Sequence, residues 1–197
     1  MRNGIAACLI AGCLLALAGG NSVAAGQVLT VGVCNMAHVR DEIFELALAE
    51  AQRLFSEVGV ATEWVDRYAS PGTPVAVNLR ILPGGSRNES HPDAFGNAFL
   101  TRPLKESNLA DVYYGQVLDR AWPNPQVAML LAHVMAHEVG HLLLGPKHSD
   151  TGLISGNWSE AECTMAQYQR LRFSAAAATP LRAAVAARVG VLPAENR

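Results

Sequence analysis

The chain has 197 residues, half of them apolar and 16% charged, with a formal net charge of -2. That length supports one domain with a real core, and that composition is globular, not disordered. No basic run or Arg/Lys stripe is present, which excludes the usual footprint of a nucleic-acid-binding protein.

Residues 1–25 differ from the rest. Arg2 makes a short positive start, 5–18 is a nearly unbroken run of apolar and small residues, and Val23-Ala24-Ala25 is a small-residue cleavage site. The pattern predicts a signal peptide cleaved after Ala25, which leaves 26–197 as a single domain, secreted or periplasmic. The apolar run is too short for a stable membrane span. Ile10-Ala11-Gly12-Cys13 has the look of a lipoprotein box, but Cys13 lies early and apolar residues continue after it, so plain cleavage is the favoured reading. Cys34 and Cys163 remain, either as one disulfide or as two separate thiols.

Residues 27–35 are rich in β-branched side chains and predict a strand. Ile43, Leu46, Ala47, Leu54 and Val58 then recur at helical spacing, with Asp41 as N-cap and Gly59 as stop. Further strands are expected at 60–66 and 75–82, a polar surface loop at 83–92, a short strand at 94–100 and a better one at 110–118. Asn124-Pro125 suits the start of a helix that is apolar nearly all round, ends at Gly145-Pro146 and should be buried. Met129 and Met135 read as its core. Ser159 and Glu162 form a capping box for a later helix. The order predicts an α+β fold, a mixed sheet packed on a buried central helix with helices at the C-terminus.

The central helix carries the chemistry. His137 and His141 are four residues apart, so they share one face, about 5–6 Å between Cβ atoms, and can grip one zinc ion. Glu138 is rotated roughly 100° from His137 and can act as general base without ligating. A catalytic zinc takes a third protein ligand and keeps one open position. The Gly145-Pro146 break lets the chain return, and His148 follows where it could supply that ligand.

The segment 137–158 resembles the zincin peptidases, and within them the metzincins, whose pattern is His-Glu-x-x-His-x-x-Gly-x-x-His followed by a methionine turn. It is especially similar to a matrixin-like group of secreted bacterial proteins with "HELGHLLLG", "HS", "GIM" and a Trp. The matching residues are His137, Glu138, Gly140, His141, 142–144, Gly145, His148, Ser149, Gly152 and Trp158. The sequence departs twice. Gly145 and His148 each lie one residue late, with Lys147 at the position of the third ligand, and Ile154 stands where the turn has Met. The resemblance implies a zincin-like fold and a zinc metalloendopeptidase, with Zn2+ held by His137, His141 and His148, and a peptide or protein as substrate. Asp150, Glu160 and Glu162 are rival third ligands.

His133, one turn before His137, is either a supporting residue of the metal site or a core histidine, with the second favoured. His38 and His91 read as surface loop residues. At most one of Tyr113 and Tyr114 can face a cleft, because strand neighbours alternate. Ser149 lacks the partners of a serine hydrolase. Residues 110–116 are the candidate edge strand for a substrate bound by main-chain pairing. Two other functions fit the same motif: a zinc hydrolase of cell-wall amide bonds, and a secreted zinc-binding or interaction protein without turnover.

Overall fold

The computed structural model describes residues 27–86, 89–121, 126–156 and 158–189. The expected signal peptide and the Asn124-Pro125 helix start lie outside them.

Five strands form one sheet: β1 (Val28–Asn35), β2 (Ala61–Asp66), β3 (Val77–Leu82), β4 (Gly96–Phe99) and β5 (Leu109–Tyr113), in spatial order β2-β1-β3-β5-β4. All pairings are parallel except β4 with β5, which is antiparallel. The helices are α1 (Asp41–Ser56), α2 (Tyr114–Arg120), α3 (Gln126–Leu144), α4 (Glu160–Gln167) and α5 (Ala175–Val189). This is the expected α+β architecture, in the expected order up to β4.

Alternation decides which face of the sheet is covered. Leu29, Val31 and Val33, then Val77, Leu79 and Ile81, then Ala110 and Val112 are all fully buried. Their neighbours Asn78 and Arg80 are only half-buried. Helix α1 crosses from β1 to β2 and buries Ile43, Phe44, Ala47, Ala51, Leu54 and Phe55, an i, i+3, i+4 stripe. Helix α3 packs against α1, β4 and β5. It is long and apolar enough to cross a membrane, yet 94% of that stretch is buried inside the protein. An all-round apolar helix at the centre of a core looks the same by composition.

Two expectations about local structure are corrected. The run 110–118 is a strand only to Tyr113 and then turns into α2. Its later half repeats apolar residues at Tyr114, Val117 and Leu118, so it carries a helical period that the β-branched residues before it obscured. Asp41 is the first helical residue rather than the cap. Arg40 holds the cap position without a side-chain hydrogen bond, and Asp41 and Glu42 instead place negative charge in the first turn. The capping box at α4 is present with both Ser159 and Glu162 bonds made. Cys34 and Cys163 are separate free thiols, so the disulfide alternative does not hold.

Candidate metal centre

His137 and His141 lie on consecutive turns of α3, and both are buried. Each ring is fixed by its far nitrogen. His137 Nδ1 donates to the Leu153 carbonyl at 2.6 Å, and His141 Nδ1 donates to the Gly145 carbonyl at 2.8 Å. A carbonyl can only accept, so both Nδ1 atoms carry the proton and both Nε2 atoms present lone pairs. Burial pushes both rings below the ordinary histidine range, His137 to about 3, which keeps them neutral.

The third histidine comes from the loop past the helix. Gly145 adopts φ +91° and closes the last turn through its N–H to the His141 carbonyl, at 2.8 Å. That left-handed residue reverses the chain. Lys147 is left exposed, and His148 is the residue that reaches back. The one-residue delay in the sequence is therefore absorbed by the turn. His148 Nε2 sits 3.1 Å from His141 Nε2, which is itself 3.0 Å from His137 Nε2. Gly156 makes room for this ring, since a Cβ there would lie 3.2 Å from His148 Cγ.

Lone pairs cannot hydrogen-bond to each other, so the Nε2 atoms of His137 and His141, 3.0 Å apart with His148 Nε2 beside them, are suited to sharing a cation. Tetrahedral zinc at 2.0–2.1 Å places its nitrogens about 3.3 Å apart, close to the separations seen. Carbonyls behind the Nδ1 atoms are the support that metal-bound histidines commonly have. The residues therefore fit zinc. Among the described residues no fourth His, Cys, Asp or Glu joins the three. Glu162 is engaged in its capping box, and Asp150 and Glu160 are exposed.

Ile154, at the expected methionine position, lies under the helix. A Cβ on Gly140 would come within 2.4 Å of Ile154 Cδ1, so glycine there lets the turn seat against α3. The turn is held by Leu153 N–H to the Arg172 carbonyl at 2.7 Å and by Ser149 N–H to the Ile154 carbonyl at 3.0 Å. Trp158 meets the His137 ring edge-on at 5.3 Å between centroids.

Glu138 opens onto the same cleft, of about 780 Å³, that His137, His141 and His148 line. Burial, with Asp111 nearby, pushes its carboxyl up to about 8 when no cation is beside it. It lies flat against the backbone of β4. A Cβ on Gly96 would meet Glu138 Oε1 at 2.6 Å and the Asp111 carbonyl at 2.5 Å. Sequence reasoning missed Gly96 and Gly156, whose signal is a lone glycine beside a strand or ligand. It also missed Phe95, Asn97 and Arg120, which line the cleft.

His133 is a core residue. Its Nδ1 lies 2.7 Å from the Met129 carbonyl and its Nε2 3.1 Å from that of Leu171. His38 is exposed, and His91 is exposed at the rim of the cleft. Tyr113 lines the cleft, while Tyr114 packs against the core. The proposed edge strand is wrong: β5 is paired on both sides, by β3 and by β4. The free edge beside the cleft belongs to β4.

No protein-family model and no curated protein matches the sequence. Solved structures do. An archaemetzincin from Methanopyrus kandleri superposes with a TM-score of 0.60 at 14% identity, covering 83% of this chain and 98% of its own. A zinc-dependent peptidase from Methanocorpusculum labreanum gives 0.56 at 14% identity, covering 77% and 99%. At that identity the likeness is one of fold: the α+β fold of this chain is the one those two structures share.

Proposed function

We propose that this chain is an exported zinc-dependent peptidase that cleaves within peptide chains. The reading rests on one observation above all: three histidine Nε2 atoms converge beside the buried carboxyl of Glu138 in an open cleft. The two structural neighbours, one of them described as a zinc-dependent peptidase, support it. A zinc ion held there supplies a Lewis acid for a carbonyl oxygen and lowers the pKa of water. Glu138 takes up the proton that hydrolysis releases and passes it to the leaving amine. Its place against Gly96 fixes the carboxylate before substrate arrives.

A substrate lies extended along the outer edge of β4, paired through main-chain groups. The cleft is lined beyond both ends of that strand, by Ala94 and Phe95 and by Leu100, which supports internal cleavage. A set of three protein ligands favours a catalytic over a structural zinc, because the structural kind is closed by four. Export is read from the sequence of residues 1–25.

Peptide hydrolysis by the purified chain, measured with and without chelator, tests the reading. Chelation should abolish it and zinc restore it. Glu138→Ala should retain zinc and lose about 10²–10⁴-fold in rate, the usual share of a positioned base. Hydrolysis that survives both treatments would overturn the mechanism.

A further inference from the structure

We propose that Arg120 anchors a carboxylate of the substrate, on the side of the cleft where Phe95 leads into β4. This deepens the peptidase reading and rests on it. Among the described residues that line the cleft, Arg120 is the one Lys or Arg. Its guanidinium lies over the Phe95 ring, with Cζ 6.0 Å from the centroid. A cation–π contact of this kind uses the face of the guanidinium and not its N–H edges, which can make a two-point contact with a carboxylate.

The groups already near Arg120 use little of that capacity. Asp93 is 4.0 Å away on a side chain that is 82% exposed, a distance and exposure at which ion pairs are weak. The Cys163 thiol also lies within hydrogen-bond reach of the Arg120 side chain, but burial raises its pKa, and a thiol sulfur is a weak acceptor. The backbone beneath the guanidinium is fixed. Gln167 Nε2 donates to the Arg120 carbonyl at 2.9 Å, and Gln116 Nε2 ties α2 to the Pro92 carbonyl at 3.0 Å. A preset cation on a rigid wall needs little ordering when a ligand arrives.

The position predicts where the carboxylate sits in the peptide. A peptide added antiparallel to β4, the commoner sense of pairing, runs with its C-terminal part toward Phe95. The carboxylate is therefore on the leaving-group side. From Arg120 to Phe95 is 6.0 Å, from Phe95 to Trp158 another 6.0 Å, and from Trp158 to His137 5.3 Å. Extended chain at 3.3–3.6 Å per residue covers that path in about five residues at most. Either an acidic side chain or a C-terminal carboxylate fits.

Binding distinguishes the sources without relying on turnover. Zinc-loaded Glu138→Ala protein is titrated with labelled peptides by fluorescence anisotropy. One arm compares Glu with Gln at each of the last four positions, and the other compares a free with an amidated C-terminus. One arm should favour the acid on the order of ten-fold, the size expected of a hydrogen-bonded charge. Arg120→Gln should bring that ratio to about one. Arg120→Glu should turn the preference toward Lys at the same position. Equal binding of acid and neutral peptides, no binding of any, or a ratio untouched by Arg120→Gln would overturn the proposal. If wild-type protein cleaves none of the peptides but the ratio stands, the peptidase reading fails and the carboxylate site does not. Cleavage with no acid preference does the reverse: the carboxylate site fails and the peptidase reading stands.

Discussion

Helix α3 carries three histidines at one-turn intervals, and they are not equivalent. His133 is fully buried, His137 and His141 nearly so. Burial therefore does not separate them. What separates them is how many ring nitrogens meet a carbonyl: two at His133, one each at His137 and His141. A ring held at both nitrogens is part of the core. A ring held at one is aimed, with its other nitrogen left for a metal. Burial lowers His133 below the usual range while its two carbonyls and Glu50, 3.9 Å away, pull upward. A neutral ring donates to only one of those two carbonyls, but both nitrogens face backbone oxygens and His133 does not line the cleft.

The largest expected effect lies at the aimed rings. His141→Ala should remove stoichiometric zinc and all hydrolysis, read by elemental analysis and peptide assay, because two protein nitrogens do not make a catalytic site. His148→Ala should also lose zinc, yet leave the melting temperature of the metal-free protein nearly unchanged, since His148 is exposed. Retention of zinc by either variant would break the distinction between aimed and closed rings.

Gly96→Ala comes next. It displaces Glu138 and strains the β4 backbone against the Asp111 carbonyl but touches none of the ligands, so zinc content should hold while the rate falls by up to about 10²-fold, as a misplaced catalytic group allows. The measurement is kcat alongside bound zinc. A smaller effect on activity is expected from His133→Ala, which empties a core position and removes the one donor that the neutral ring offers the Met129 or Leu171 carbonyl. It should cost about 3 kcal/mol in denaturant unfolding, with zinc stoichiometry preserved. Loss of zinc there would mean that the closed ring also serves the centre.

These residues were not equally legible in sequence. His137, Glu138 and His141 were, because helix geometry is local and fixes which side chains share a face. His148 was legible through the Gly145-Pro146 break, which told where the chain must turn back. The edge strand was not. Sequence showed that 110–113 is a strand, but strand order depends on long-range pairing, and β4 rather than β5 came to the edge. Gly96, Phe95 and Arg120 stayed hidden for the same reason. They approach α3 only through the antiparallel return of β4 and the placement of α2, and nothing in their own spacing announces it.

The smallest effect sharpens the comparison most closely, since it concerns how an aimed ring is held. Ile154 stands where the resembled family has Met, and its Cδ1 fills the notch that Gly140 leaves in α3. The contact that orients His137 comes from the neighbouring Leu153 carbonyl, a backbone group. If the backbone does the aiming, the floor needs only an apolar side chain of similar volume. Ile154→Met should then change stability by less than about 1.5 kcal/mol and leave zinc affinity within a few-fold. Gly140→Ala should behave differently, because its Cβ would push Ile154, and with it the Leu153 carbonyl, away from the helix. Zinc affinity measured by competition with a chromogenic chelator compares the two. A large loss in Ile154→Met would show that the branched side chain, not the carbonyl beside it, sets the direction of the His137 ring.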